Sequence, residues 1–139
     1  MGPEGFYSLD SLVGIHVLIV DDEPACRELF TEILRYCGAL ATATASVVEA
    51  LRVMQITKCD VVLADIAMPG EDGFDLIRRI RALKPEDGGV VRAVAVTAWT
   101  RGEDRDAIRT AGFDAYLTKP VDPWALCRLV ASLAMGNHS

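Results

Sequence analysis

The sequence predicts an α/β fold: a doubly wound, five-stranded parallel sheet with helices on both faces. Three observations lead there. Short apolar runs alternate five times with stretches of helical period, as successive βα units require. The first, third and fourth runs are almost continuously apolar, the pattern of parallel strands covered on both faces. Acidic and other polar residues gather at the C-terminal ends of these runs, where open α/β sheets place their chemistry.

The elements follow in chain order. Residues 1–14 read as a flexible leader or linker; their opening, Met1-Gly2-Pro3-Glu4-Gly5, lacks the basic start and apolar stretch of a signal peptide. The first strand is 16–20, His16-Val17-Leu18-Ile19-Val20. A helix over 24–37 lines up Cys26, Leu29, Phe30, Ile33, Leu34 and Cys37 on one stripe. Pro24 suits its first position and Gly38 stops it. The second strand, 39–43, is weaker and fits an edge. Ser46 and Glu49 have capping-box spacing at the head of a helix over 46–57, whose stripe is Val47, Ala50, Leu51 and Met54. The third strand, 60–64, runs directly into Asp65. Leu76, Ile77, Ile80 and Leu83 make the stripe of a helix over 73–83. The fourth strand is 91–97. The helix predicted over 103–111 is polar, with only Ala107, Ile108 and Ala111 to bury, and Gly112 stops it. After the fifth strand, 114–118, Asp122 caps a helix over 123–134 and Pro123 opens it. Its stripe is Leu126, Leu129, Val130 and Leu133. The domain therefore spans 15–134, with 135–139 as a tail.

Bulk properties narrow the function. At 139 residues the chain suits one domain with a real core. A net charge of −6 argues against sequence-independent nucleic-acid binding, which relies on Lys and Arg to neutralise phosphates. No apolar run approaches the length of a membrane span. The cysteines Cys26, Cys37, Cys59 and Cys127 show no Cys-x-x-Cys spacing and no neighbouring His, which disfavours zinc. Cys37 and Cys127 read as small core residues. The absence of a signal peptide points to a reducing cytoplasmic compartment.

The strand ends carry the chemistry. The first strand ends in Asp21-Asp22, the third in Asp65, the fourth in Thr97-Ala98, and the fifth is followed by Lys119-Pro120. If the first and third strands are neighbours, three carboxylates converge. Their mutual repulsion then calls for a cation or a covalent neutraliser.

This set resembles the receiver domain of two-component response regulators. The resemblance rests on Asp21-Asp22-Glu23-Pro24, on Asp65-Ile66-Ala67-Met68-Pro69-Gly70 with Gly73, on Val96-Thr97-Ala98, and on Tyr116-Leu117-Thr118-Lys119-Pro120. Each piece is weak alone; all of them, in order and at strand ends, are specific. The resemblance implies strand order 2-1-3-4-5, a flavodoxin-like (βα)5 fold. It also implies that Asp65 accepts a phosphoryl group from a phosphohistidine, supplied by a sensor histidine kinase or a histidine phosphotransfer protein. An anion attacking an anion needs charge neutralisation, and Mg²⁺ supplies it in phosphoryl transfer. Asp21, Asp22 and Asp65 would hold the ion with the backbone carbonyl of Ala67. Lys119 would pair with Asp65 and then with the phosphoryl group, and Thr97 would offer it a hydroxyl. Tyr116 matches the family's aromatic switch, turning inward as Thr97 moves. The face formed by the fourth helix, fifth strand and fifth helix would then change shape, and it admits a homodimer. The Lys119–Pro120 bond is expected to be cis by the same resemblance.

Other readings compete. A haloacid-dehalogenase-like phosphatase also forms an aspartyl phosphate, but it resembles Asp-x-Asp after the first strand, and here that strand ends Asp21-Asp22-Glu23. A phosphorylation-independent interaction domain would have lost a pocket residue, and none is missing. Beyond self-phosphorylation and autodephosphorylation no enzymatic activity is expected. Trp99, two residues after Thr97, is expected to restrict attacking water, changing the acyl-phosphate lifetime, or to serve partner docking, or to be an exposed loop aromatic. His16 and His138 carry no partner pattern. The lead-in Ser8-Leu9-Asp10-Ser11-Leu12-Val13-Gly14, with Met68-Pro69-Gly70-Glu71-Asp72-Gly73 and Lys119-Pro120-Val121-Asp122-Pro123, resembles receivers at the end of hybrid sensor histidine kinases.

Overall fold

The computed structural model describes residues 11–98 and 102–135. Its elements are β1 (His16–Val20), α1 (Pro24–Tyr36), β2 (Leu40–Thr44), α2 (Val47–Ile56), β3 (Val61–Asp65), α3 (Gly73–Arg81), a 3-10 turn (Pro85–Asp87), β4 (Arg92–Thr97), α4 (Gly102–Ala111), β5 (Ala115–Thr118) and α5 (Pro123–Met135). Every strand pair is parallel and the order is β2-β1-β3-β4-β5. The doubly wound, flavodoxin-like sheet is therefore the one expected, with β1 beside β3 at the switch point.

Period-two alternation divides the core between the two faces of the sheet. Leu18, Val20, Val62, Ala64, Ala93 and Ala95 face one way, toward Val47 and Ala50 of α2, Leu76, Ile77 and Ile80 of α3, and Ile108 of α4. Val17, Ile19, Val61, Leu63, Val94 and Val96 face the other way, toward Phe30 and Leu34 of α1 and Leu126, Cys127 and Val130 of α5. β3 is buried along its whole length, as a central parallel strand must be. The edge strand β2 is mostly accessible, with only Thr44 buried.

Helix ends obey local chemistry. The Ser46 hydroxyl accepts the Glu49 amide at 3.2 Å, while the Glu49 carboxylate turns back to the Ala45 amide, one residue before the cap. Asp122 caps α5 by accepting the Ala125 amide at 3.3 Å. Gly38 (φ 97°) and Gly112 (φ 122°) follow α1 and α4 in the left-handed conformation that stops a helix. A reciprocal capping box at α3 was not foreseen: Asp72 accepts the Asp75 amide and Asp75 accepts the Asp72 amide, each at 3.0 Å. α3 ends at Arg81 rather than 83; the chain then turns into Pro85, which cannot continue a helix.

Two findings revise the sequence reading. Leu12, assigned above to a flexible leader, is fully buried between α1 and α5, and its amide bonds to the Cys37 carbonyl at 2.8 Å. Leu12 thus belongs to the packed core, because it has apolar surface to bury. Arg81, which carried no expectation, ties α3 to the loops before β4 and β5. It donates to the carbonyls of Gly112 (3.0 Å), Gly89 (3.0 Å) and Val91 (2.6 Å), and pairs with Asp114 at 3.1 Å. Among the described residues, no helix is long and apolar enough to cross a membrane.

Candidate functional site

Register brings the site together. Val20 pairs with Ala64, so Asp21 and Asp65 are the next residues on adjacent strands. Asp65 pairs with Val96, which places Thr97 one step beyond on the other side. Thr97 pairs with Thr118, and the Lys119 amide donates to the Thr97 carbonyl at 2.8 Å. Asp21, Asp65, Thr97 and Lys119 therefore line one end of the sheet because all four strands stop at the same level. Asp22, next to Asp21, stands exposed at the mouth.

The three carboxylates each bring an oxygen within 4.8 Å of the others. Asp21 is 1% exposed and Asp65 6%. The Asp21 oxygens differ. Oδ1 accepts the Glu23 amide at 2.9 Å, while Oδ2 is buried with no hydrogen-bond partner. Burial pushes the Asp21 carboxyl above its ordinary value against the Glu23 hydrogen bond, and the charges of Asp65 and Asp22 add to the rise. Asp65 is held from both sides. Its Oδ1 accepts the Ala67 amide at 3.0 Å and its Oδ2 faces the Lys119 ammonium at 3.3 Å. Burial works to lower the Lys119 ammonium, but the charges of Asp65 and Asp21 outweigh it and hold the group above its ordinary value.

An orphaned buried oxygen beside two further carboxylates suits a hard divalent cation, which takes oxygen ligands. The donor set contains no sulfur and no imidazole, so it fits Mg²⁺ rather than a softer metal. Ala67, exposed at the rim, contributes its amide to Asp65 in this structure.

Other expected residues fall out differently. Thr97 is 1% exposed. Tyr116 is half-buried and packs against the core on the face of the sheet that also holds Ile108 and Phe113. The Lys119–Pro120 bond is cis. Trp99 lies outside the described residues. His16 has partners after all, the Thr42 hydroxyl at 2.7 Å and the Lys58 carbonyl at 2.9 Å, but at the opposite end of the sheet. A groove of about 950 Å³ at that end, lined by Ile56, Lys58, Arg79, Val90 and Arg92 among others, contains none of the site residues.

Two site residues escaped the sequence reading or lacked a reason there. Arg27 donates to the Asp21 carbonyl at 2.8 Å and so clamps the turn carrying both acids. A basic residue one turn into the helix after an acid pair was the available signal. Gly73 is required by contact: a Cβ there would lie 2.6 Å from the Ile66 Cα and 2.9 Å from the Asp65 carbonyl oxygen. The first turn of α3 thus presses directly on the Asp65 loop.

The response regulator receiver domain profile matches residues 17–131. The chain belongs to the receiver family. It is a receiver domain of two-component signalling, and the haloacid dehalogenase reading is set aside by this match. This receiver is 42% identical over 122 residues to a 14.6 kDa protein of the sodA1 3′ region of Leptolyngbya boryana, covering 88% of this chain and 92% of that protein. It is 35% identical to the sensor histidine kinase RcsC of Salmonella typhi over 90% of this chain, but spans only 13% of that kinase. A solved structure, the receiver domain of the sensor histidine kinase PA1611 of Pseudomonas aeruginosa with a magnesium ion in its active-site cleft, is 31% identical. It superposes with a TM-score of 0.78 over 88% of this chain and 98% of that one.

Proposed function

We propose that Asp65 is the phosphoryl acceptor of this receiver and that Asp21, Asp22 and Asp65, with the carbonyl of Ala67, hold Mg²⁺. The observation that carries the reading is the convergence of the three carboxylates within 4.8 Å, with Lys119 3.3 Å from Asp65. A related receiver holds magnesium in its cleft, and the donor set here suits the same ion.

A carboxylate oxygen of Asp65 attacks the phosphorus of a phosphohistidine. The P–N bond breaks, its electron pair returns to the imidazole of the donor, and an acyl phosphate remains on Asp65. Bound Mg²⁺ would offset the negative charge of the incoming group. Lys119, already paired with Asp65, moves onto a phosphoryl oxygen, and Thr97 hydrogen-bonds another. Ala67 and Arg27 act earlier, fixing the Asp65 carboxylate and the Asp21 turn in place. With Thr97 drawn toward the phosphoryl group, Tyr116 turns inward and the α4-β5-α5 face changes shape, a shift between two populations of one fold.

The donor is a sensor histidine kinase or a histidine phosphotransfer protein, in the cytoplasm. The similarity to a sensor kinase favours a place within a hybrid histidine kinase. The α4-β5-α5 face is where a second copy would pair. The unit extends over 15–134 together with Leu12, chemistry is confined to its own phosphorylation and dephosphorylation, and it neither binds nucleic acid directly nor inserts in a membrane.

Incubation with acetyl phosphate and Mg²⁺, read by intact mass, tests this reading. A gain of about 80 Da for one phosphoryl group is expected, lost in Asp65→Asn and in EDTA. Equal gains with and without Asp65 would refute it.

A further inference from the structure

Two thiols that the phosphoryl chemistry leaves unused meet in the half of the core between α1 and α5. Cys37 is the C-cap residue of α1, just before Gly38, and Cys127 lies in the second turn of α5. Both are free and each is 1% exposed. Their sulfurs stand 3.1 Å apart, across 90 residues of sequence. The Cys127 sulfur also approaches the Ile33 carbonyl, at 4.0 Å. The remaining surroundings, including Leu12, Leu34 and Val130, are apolar.

A sulfur–sulfur bond is about 2.05 Å long. An approach of about 1 Å therefore joins the pair, and Cys37 sits at the C-cap of α1, its N–H bonded three residues back to the Leu34 carbonyl at 3.1 Å. We propose that Cys37 and Cys127 are an oxidative modification site, forming a reversible intrachain disulfide with a small hydroperoxide as oxidant. One sulfur attacks a peroxide oxygen; the O–O bond breaks and a sulfenic acid forms with loss of water. The second sulfur then attacks the sulfenic sulfur; the S–O bond breaks and its oxygen leaves as a second water. In sum two thiols lose two protons and two electrons, and one hydrogen peroxide takes them up to become two waters.

Burial sets the character of the site. It shields the pair from bulky disulfides. It also pushes the Cys127 thiol up to about 12, with the neighbouring Cys37 adding to the rise, so the pair stays reduced except under sustained peroxide. Once formed, the bond ties the end of α1 to α5 and encloses Asp65, Thr97 and Lys119 in one covalent loop. The half-buried Cys26 is the thiol open to competing reactions.

The test uses the protein with Cys26→Ser and Cys59→Ser, treated with hydrogen peroxide, and the unsubstituted protein in parallel. Expected are a mass loss of about 2 Da with no dimer, a linked pair of peptides containing Cys37 and Cys127, and a Tm raised by about 10 °C. Dithiothreitol should reverse all three. Peptide mapping of the unsubstituted protein gives the same answer if the double variant fails to fold. Thiols that both remain alkylatable after unfolding, oxygen addition without a link, or a link between two chains would overturn the proposal.

Discussion

The Lys119 ammonium stands 3.3 Å from Oδ2 of Asp65, on the oxygen opposite the one that accepts the Ala67 amide. The Asp65 carboxylate is thus oriented by one neutral donor and one charged one. Lys119 also offsets part of the repulsion among the three acids, so it competes with any cation for that work. In Lys119→Ala, Mg²⁺ should bind several-fold more tightly, by equilibrium titration, while the rate of phosphorylation by acetyl phosphate falls at least tenfold. Weaker Mg²⁺ binding in the variant would show that Lys119 organises the acids instead of competing with the ion.

Asp21 gives a stability prediction with a definite sign. Its folded carboxyl titrates above its ordinary value of 3.8, chiefly through burial. Such a group favours the folded state below its unfolded pKa and loses that contribution as pH rises through the folded one. Without metal at neutral pH, Asp21→Asn should therefore be more stable than the parent, by on the order of 1 kcal/mol. The gap should close as the pH falls toward 3.8. Saturating Mg²⁺ reverses the order: at a hundredfold excess over Kd it stabilises the parent by about 2.7 kcal/mol, and the variant by less. Urea midpoints in EDTA and in Mg²⁺ measure both halves.

Gly73→Ala forces a Cβ to within 2.6 Å of backbone at Ile66. Either α3 or the Asp65 loop must move. A loss of about 1–3 kcal/mol is expected, together with slower phosphorylation and weaker Mg²⁺ binding, although residue 73 touches neither ligand. Unchanged Mg²⁺ affinity would mean that α3 yields and the loop does not.

Arg81→Ala removes the bonds from α3 to Gly112, Gly89, Val91 and Asp114. Several carbonyls lose their donor at once, so a loss of about 2–4 kcal/mol is expected. Hydrogen exchange should localise the loosening to the C-terminal end of α4 and the start of β5. Exchange raised uniformly through the domain would contradict that local role.

Much of this was legible in the sequence because it depends on period and position. Continuous apolar runs revealed β1, β3 and β4, and the acids that end β1 and β3 pointed to the site. Strand order was a matter of resemblance, since periodicity does not encode which strands pair. The remainder depended on long-range contact. Leu12 looks like linker until α1 and α5 close over it. Arg81 looks like one of several basic residues on α3 until the loops before β4 and β5 come within reach. The orphaned Asp21 oxygen, the feature on which the proposed metal role rests, appears only once the neighbouring strands have buried it.

The most direct measurement is chemical localisation of the phosphoryl group. The protein is phosphorylated in Mg²⁺, reduced with borohydride, digested and sequenced by mass, because borohydride converts an aspartyl phosphate to homoserine. The account predicts homoserine at position 65 alone. Homoserine at Asp21 or Asp22, or none at all in protein that has gained phosphate, would contradict it.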